Sequence, residues 1–274
     1  MLDIAPGKTP LQRARGRAEA RFGCRDGRTV LAGLHQSGCA KAMLPRVPGP
    51  PEVVFLNTAG GLTGGDVLDY GLDVAAGAQV TATTQTAERG YASTGETARV
   101  RCRISVGAGG ALDWLPQETI LFDGAALDRV TEVDLAGDAR LLLCETLVLG
   151  RAAMGETVRS LRLSDRREIR RDGRPVLVDA VRMGDEALAR RDGPALLGKA
   201  RAVALVALVA PGAEDAVGPV RGMLAGNDIQ AEASGWDGRC VVRLAAPDLW
   251  PLRRALIDVV THFRGAVPPR VWQI

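Results

Sequence analysis

Alternation of apolar and polar residues with a period of two dominates residues 53–178 and constrains the fold more than any other feature. In the clearest run, 98–106, Ala, Val, Cys, Ile and Val alternate with three Arg and a Ser. Successive side chains of a β-strand point to opposite faces, so this run predicts a strand with one buried face. Asp172-Gly173 between two further runs predicts a hairpin. The Arg-rich segment 13–28 is expected to form a solvated edge strand.

A weak internal repeat lies inside this β-rich region. Three copies each begin with a turn that contains an alanine and end with a polar pair; they span 77–85, 110–118 and 138–146. Their alanines are 33 and 28 residues apart. Repeats of this length are typical of stacked units, each of which buries the apolar face of the next. Stacking predicts that the polar pairs align at one end of the layers, whereas a simple β-meander would give the same spacing without stacking.

Two helices are predicted near the C-terminus. Residues 248–265 begin with Asp248, a suitable N-cap, continue with apolar residues at helical spacing and end at Gly265. Such a helix packs one apolar face against a sheet. Residues 211–226 contain Pro219, which predicts a short or broken helix.

Composition excludes several classes of partner and location. The net charge is +3 and no basic block is present, so no nucleic-acid partner is expected. The apolar run 202–210 stops at Pro211, well short of the ~20 residues that span a bilayer, and predicts a buried strand rather than a membrane segment. Residues 1–16 lack the apolar region of a signal peptide. The five cysteines contain no Cys-x-x-Cys pair, which favours a cytoplasmic protein with free thiols.

Motifs of common catalytic and metal sites are missing from the sequence. It has two histidines, His35 and His262, and no Gly-x-Ser-x-Gly, His-Glu-x-x-His or Cys/His cluster. A nucleophilic triad would have to use one of these two histidines, and no neighbouring residue supports that role. The sequence therefore argues against hydrolase-type catalysis.

A glycine-rich segment, Asn57–Asp66, is the most unusual stretch of the chain. Two glycine pairs within ten residues permit tight turns and close approach of the backbone. A phosphate-binding loop is excluded because no Lys-Ser/Thr follows and the next segment is a strand. The favoured interpretation is a pair of turns between strands. Asp66 among these glycines is accessible to a cation or to a backbone donor.

Carboxylates beside apolar strands form a second group of candidates: Glu118, Glu145 and Glu156. A charge among apolar neighbours costs on the order of several kcal/mol unless it is paired or solvated. Glu145 is the sharpest case because 141–148 is otherwise almost wholly apolar. One interpretation is an internal ion pair with Arg151 or Arg89. The other is a water-filled passage whose oxygen ligands bind a divalent ion weakly.

Several motifs, in order along the chain, resemble the UreD (UreH) family of urease accessory proteins. They are Asn57–Asp66, Thr83-Thr84-Gln85 with Tyr91, Leu115–Ile120, Glu145 with Gly150-Arg151 and Gly155-Glu156, and Phe263–Gly265 with Pro269–Trp272. The match covers most of the chain from about Val53. The resemblance implies a mainly β, β-helix-like fold of stacked strands with a few helices near the C-terminus. It further implies one domain over 1–274, with a stacked core at 53–180 and the C-terminal helix at 248–265.

The function that the resemblance implies is a chaperone role in metallocentre assembly, with no catalytic turnover and no tightly bound cofactor. Members of the family are scaffolds for nickel insertion that bind the urease apoprotein and recruit UreF and UreG, the GTPase that carries nickel. Nickel is transient and is thought to pass through an internal tunnel. Residues of the matching motifs placed along that path are Asp66, Gln85, Glu118, Glu145 and Glu156. The alternative is a β-rich enzyme that acts on a small molecule or sugar through paired carboxylates such as Glu118 and Glu145.

Overall fold

A computed structural model describes residues 12–193 and 196–273, which contain seventeen strands and three α-helices. Residues 1–11, within the segment for which no signal peptide is expected, lie outside this description. The strands are β1 (Arg15–Arg25), β2 (Arg28–Gly38), β3 (Ala40–Met43), β4 (Glu52–Asn57), β5 (Val67–Val74), β6 (Gln79–Thr84), β7 (Glu88–Gly90), β8 (Ala98–Val106), β9 (Ala111–Leu115), β10 (Thr119–Leu121), β11 (Ala125–Leu135), β12 (Arg140–Leu149), β13 (Leu161–Arg171), β14 (Arg174–Met183), β15 (Ala202–Val209), β16 (Gln230–Trp236) and β17 (Arg239–Ala246). The helices are α1 (Asp185–Ala189), α2 (Val217–Leu224) and α3 (Leu249–Arg264).

The strands coil into a β-solenoid of about four turns, in which each turn contributes strands to two facing sheets. The first is a seven-stranded sheet with the order β14-β13-β11-β8-β5-β1-β2. The second is a ten-stranded sheet with the order β16-β17-β15-β12-β9-β6-β4-β3, to which the short strands β7 and β10 add. Neighbours among β1, β5, β8, β11 and β13, and among β4, β6, β9 and β12, are parallel. The predicted mainly β, β-helix-like fold is confirmed.

The internal repeat corresponds to the turns of the solenoid. Gln79, Ala111 and Arg140 lie in register on the parallel strands β6, β9 and β12. At the turn that precedes β9, the Ala111 N–H donates to the Ala78 carbonyl oxygen at 2.9 Å. Parallel pairing excludes the β-meander alternative, in which successive strands run antiparallel. Stacking of the copies is confirmed.

Both faces of the ten-stranded sheet are buried. One face packs against the seven-stranded sheet in the solenoid interior, where the alternating residues of β8 contribute Ala98, Val100, Cys102, Ile104 and Val106. The other face packs against α2 and α3, and there Leu142, Cys144 and Val148 of β12 form one cluster with Leu252, Leu256 and Val259. A strand buried on both faces reads as a continuous apolar run, which accounts for the sequence of β12.

The N-terminal strand differs from its prediction. β1 lies inside the seven-stranded sheet, antiparallel to β2 and parallel to β5, and it buries Ala18, Ala20 and Phe22. The edge is therefore β2, which partly exposes Leu31 and Leu34. The arginines of β1 occupy its outward face. Because they dominate the sequence of this segment, the apolar residues of its buried face were not recognised from the sequence.

The C-terminal helix agrees with its prediction at both ends. The Asp248 carboxylate accepts a hydrogen bond from the Trp250 N–H at 2.9 Å, and Gly265 ends the helix with a φ of 66°. The segment 211–226 forms a 3₁₀ turn followed by the short helix α2, as Pro219 predicted. No helix within the described ranges is long and apolar enough to cross a membrane.

Removal of the Asp248 side chain tests this N-cap. Asp248→Ala is expected to lower the free energy of unfolding by about 1 kcal/mol, because the Trp250 N–H loses its acceptor. Asp248→Asn retains an acceptor oxygen and serves as the matched control. Urea denaturation measures both variants, and an alanine variant as stable as the asparagine variant would show that the cap contributes nothing.

Candidate functional site

The ten-stranded sheet is interrupted at one place in the solenoid wall. β6 ends at Thr84 before β7 begins at Glu88, and β9 ends at Leu115 before β10 begins at Thr119. β12 runs past without a break, pairing first with β9 and then with β10. Pro116, which has no backbone N–H to donate, stands in the second interruption. This gap leaves room for an opening into the interior.

A cavity of about 100 Å³ lies at this gap and extends into the solenoid. Its polar lining includes Asn57, Tyr70, Gln85, Glu88, Cys102 and Glu145, together with Arg89 and Arg129. A second, more open cavity of about 460 Å³ lies beyond β12, and its charged lining includes Glu145, Arg167, Asp179 and Arg243. Glu145 lines both cavities. The two cavities therefore meet at one carboxylate in the middle of the fold.

Five buried or nearly buried charged side chains surround this meeting point and form what we name the arginine–carboxylate network: Arg129, Asp165, Arg167, Asp179 and Glu145. Arg129 donates Nε and Nη2 to the two oxygens of Asp165, both at 2.7 Å. Arg167 donates Nε to Glu145 Oε2 at 2.7 Å and Nη1 to Asp179 Oδ2 at 3.1 Å. Arg129 Nη2 also lies 3.3 Å from Glu145 Oε2. Every carboxylate of the network thus contacts at least one guanidinium.

Glu145 uses both of its oxygens within the interior and is only 2% exposed. Its Oε1 accepts hydrogen bonds from Trp114 Nε1 at 3.1 Å and from Thr131 Oγ1 at 2.9 Å. Burial raises the pKa of Glu145, but the positive charges of Arg129 and Arg167 outweigh burial and hold that pKa below its usual range. The side chain is therefore an ionised member of an internal ion pair.

The predicted partners of Glu145 were wrong. Arg151 follows β12 and its Nε donates to Glu156 at 2.8 Å, and Arg89 is exposed on β7. The actual partners, Arg129 and Arg167, come from β11 and β13, which face β12 across the interior. A sequence signal existed, because both arginines stand at inward positions of alternating strands where the pattern otherwise places apolar residues.

A row of polar side chains crosses the inner face of the seven-stranded sheet. Tyr70, Cys102, Thr131, Arg167 and Asp179 are in register on β5, β8, β11, β13 and β14. Hydrogen-bonded strands stack along the solenoid axis, so this row runs parallel to that axis. Its first members line the first cavity and its last members line the second. The polar row therefore links the two cavities.

Asp66 ties the glycine-rich segment to the start of β1. Its Oδ1 accepts from the Ala14 N–H and its Oδ2 from the Thr63 N–H, both at 2.8 Å, and the side chain is buried. Gly61 and Gly65 have φ values of 150° and 90°, which agrees with the interpretation of this segment as turns. Asp66 accepts backbone hydrogen bonds in this structure and does not line the first cavity.

Glu118 lies beside the gap and is held there by a side chain of α3. Arg253 donates Nη1 to Glu118 Oε2 at 3.0 Å and to Gln117 Oε1 at 2.9 Å. Trp272 covers the same place, with its Nε1 donating to the Leu115 carbonyl oxygen at 2.9 Å. The polar pairs of the first two repeats also meet here, because the Gln117 N–H donates to Thr84 Oγ1 at 2.9 Å.

Glu156 closes the loop that follows β12. Its Oε1 accepts from the Asp123 N–H at 3.1 Å, and its Oε2 accepts from Arg151 Nε at 2.8 Å. The hydrogen bond from Arg151 is the main cause that lowers the pKa of Glu156 to about 2. Of the five residues predicted along a nickel path, Gln85 and Glu145 line the first cavity. The other three hold surrounding loops, and the path remains a prediction.

Paired-carboxylate catalysis has a specific requirement that Glu145 does not meet. Glycosidases need one carboxylic acid with a raised pKa as the proton donor. The pKa of Glu145 is lowered, and Glu118 is paired with Arg253. Within residues 12–193 and 196–273, no three His, Cys, Asp or Glu side chains are arranged to hold a metal ion.

Glu88 lines the first cavity and was missed from the sequence. Its two carboxylate oxygens lie 3.4 Å from Asn57 Nδ2, and Oε1 accepts from the Arg89 N–H at 3.2 Å. Burial raises its pKa to about 7. No apolar run surrounds Glu88 in the sequence, so its position at the cavity is visible only in the structure.

Comparisons with known proteins agree with these motifs over nearly the whole chain. The profile of the family described as "UreD urease accessory protein" matches residues 14–273. The chain belongs to the UreD family. It is 53% identical over 271 residues to the urease accessory protein UreD of Cereibacter sphaeroides, covering 98% of each chain. It is 52% identical to that of Paracoccus denitrificans, covering 99% of this chain and 95% of the other, and 44% identical to that of Rhizobium leguminosarum over the full length of both. The resemblance to the UreD family is thereby confirmed.

Proposed function

We propose that this UreD-family chain is a non-catalytic cytoplasmic scaffold that helps to insert nickel into apo-urease. In this proposal it binds the urease apoprotein and bridges it to UreF and to the GTPase UreG. The observation that carries the proposal is the pair of cavities that meet at Glu145 inside the solenoid.

The chemistry of the cavity lining supports transit rather than storage. Carboxylate, amide and hydroxyl oxygens bind nickel more weakly than thiolate or imidazole clusters. Burial raises the pKa of the Cys102 thiol to about 12, so this cysteine is neutral and a poor ligand. Arg129 and Arg167 contact Glu145 where the two cavities meet. A divalent cation would replace their positive charge there, and we propose that the network opens as the cation passes.

Reconstitution of urease activation tests the scaffold role. The chain is co-expressed with the urease subunits, UreF and UreG in nickel-containing medium, and complexes are captured through a tag on the chain. We expect co-purification and urease activity that is lost when the chain is omitted. Full activity without the chain, together with no association, would reject the proposal.

Replacement of Glu145 by Gln separates transit from stability. Glu145→Gln keeps the side-chain volume and removes the charge that faces both cavities. We expect urease activation to fall roughly tenfold per folded chain, as for loss of a metal-site partner. The matched control is Asp165→Asn, which breaks the same network but lines neither of the two cavities. Equal activation by the two variants, normalised to soluble complex, would show that Glu145 serves stability alone.

A further inference from the structure

The first cavity contains a carboxylate that the arginine–carboxylate network does not neutralise. Glu88 and Glu145 are the two acidic residues among those that line this cavity. Glu145 contacts two guanidinium groups, whereas Glu88 forms no ion pair with any residue that the structure describes. The polar partners of Glu88 are one amide group at 3.4 Å and one backbone N–H at 3.2 Å. Arg89 and Arg129 also line the cavity, but neither guanidinium forms an ion pair with Glu88 in the part of the chain that the structure describes. A partly buried carboxylate without such a contact favours a cation from solution.

Tyr70 provides a second, independent feature of the same cavity. It lines the cavity and is 8% exposed, and among the described residues its hydroxyl takes part in no hydrogen bond. Phe55 packs against its ring with the centroids 5.2 Å apart, so the ring is held in place. Burial, and then the negative charge of Glu88, raises the pKa of Tyr70, which keeps the phenol protonated as a donor. An uncommitted donor inside a cavity is suited to a ligand or to its bound water.

The cavity is large enough for an ion that keeps part of its water shell. Its volume is about 100 Å³. A water molecule occupies roughly 30 Å³ in the liquid, so a cation with about two or three waters fits. Divalent ions that retain water commonly bind through one carboxylate with the remaining ligands supplied by solvent. One carboxylate gives weak binding, as transit requires.

We propose that Glu88 is the oxygen ligand at which a partly hydrated divalent cation binds inside the first cavity, with the Tyr70 hydroxyl hydrogen-bonded to a water molecule that the cation carries. This inference deepens the nickel-transit function and rests on it. Tyr70 is in register with Cys102, and Cys102 with Thr131, whose hydroxyl contacts Glu145. The site therefore lies at one end of the polar row and precedes or follows Glu145 in transit.

Glu88 contributes little to the fold, which makes the test practicable. The Asn57 side chain is held more closely by the Gly61 carbonyl oxygen, at 3.1 Å, than by Glu88 at 3.4 Å. The other hydrogen bond of Glu88 joins it to the neighbouring Arg89 N–H. Glu88→Gln retains the acceptor oxygen and removes the charge. We therefore expect this variant to fold with an unchanged or higher melting temperature.

Binding of Ni²⁺ alone to the purified full-length chain measures the site. Equilibrium dialysis is carried out at pH 8, above the pKa of Glu88 near 7. Glu88→Gln is expected to weaken Ni²⁺ binding roughly tenfold or more, comparable to loss of a metal-site partner. Tyr70→Phe keeps the ring and is expected to weaken binding roughly fivefold, the equivalent of one hydrogen bond. The control is Glu186→Gln, whose side chain is 81% exposed on α1, and it should bind like the wild type.

The dialysis result and the activation assay together decide the inference and keep it separate from the scaffold role. Wild-type affinity in both Glu88→Gln and Tyr70→Phe would overturn the site. If Glu88→Gln does not fold, the Ni²⁺ affinity of Tyr70→Phe decides the question. If those variants also support normal urease activation while omission of the chain abolishes it, the scaffold role stands without this site. If the chain is dispensable for activation, the scaffold role fails, and the dialysis comparison still decides whether Glu88 binds the cation.

Discussion

Replacing Asp165 by Asn is expected to lower the free energy of unfolding by about 3–5 kcal/mol, the cost of breaking a buried ion pair on one side. Asp165 is 1% exposed and accepts hydrogen bonds from Arg129 at 2.7 Å and from Arg167 at 2.5 Å. The variant leaves two guanidinium groups with one fewer negative charge in the interior. Thermal unfolding should show a decrease in melting temperature on the order of 10 °C.

Asp134→Asn is the matched control for this prediction. Asp134 lies on β11, next to β13, but on the outer face of the seven-stranded sheet, where it is exposed. A surface change of this kind is expected to alter stability by less than about 0.5 kcal/mol. Similar melting temperatures for the two variants would show that the network does not stabilise the fold.

The network also predicts how acid affects stability. The pKa of Glu145 is lower in the folded chain than its ordinary value of 4.5. The stability contributed by its ion pairs is therefore fully present above that ordinary value and is lost as the pH falls through the lower folded pKa. Glu145→Gln should thus differ most from the wild type in stability near neutral pH, and the difference should shrink in acid as Glu145 of the wild type becomes protonated.

Replacing Gly61 by Ala is expected to lower the free energy of unfolding by about 2–5 kcal/mol, the sum of backbone strain and overpacking. Gly61 has a φ of 150°, which an alanine adopts only with strain. A Cβ atom there would overlap the Tyr91 ring and lie 2.8 Å from the Arg89 carbonyl oxygen. The ring of Tyr91 is partly exposed and can move, but the carbonyl belongs to β7. We expect β7 to shift and to displace Glu88 with it.

The neighbouring glycine separates the two causes. Gly60 has a φ of 79°, and a Cβ atom there would meet no atom within 4 Å. Gly60→Ala should therefore show only the backbone cost, roughly 1 kcal/mol. Urea denaturation and Ni²⁺ dialysis of both variants provide the comparison. If the two alanine variants lose equal stability, contact with β7 is not the cause.

The sequence predicted most of the fold because the strands obey local rules. Period-two alternation identified the buried face of β8, the Asp172-Gly173 turn identified the hairpin of β13 and β14, and capping residues identified the ends of α3. The repeat spacing predicted stacking because each turn of the solenoid must bury the face of the next. The Arg-rich strand β1 was misplaced at an edge, since its outward charges concealed an apolar face.

The candidate site was harder to predict because its contacts join distant segments. Glu145 was identified from its apolar neighbours, but its partners depend on which inward positions of β11 and β13 face β12 across the interior. Arg129 and Arg167 stand 16 residues before and 22 residues after Glu145 in the sequence, and only the register of two sheets brings them together. Glu88 was not predicted because a gap in a sheet leaves no local pattern of apolar and polar residues in the sequence.

The in-register polar row has a geometric consequence for the spacing of the two cavities. Tyr70 and Asp179 are separated by four strand-to-strand steps, from β5 through β8, β11 and β13 to β14. Hydrogen-bonded strands lie about 4.8 Å apart, so the row spans roughly 19 Å. Insertion or deletion of one whole turn of the solenoid would lengthen or shorten this span by one strand spacing. Each turn of the solenoid thus acts as a unit of length, and the number of turns sets the distance between the two cavities.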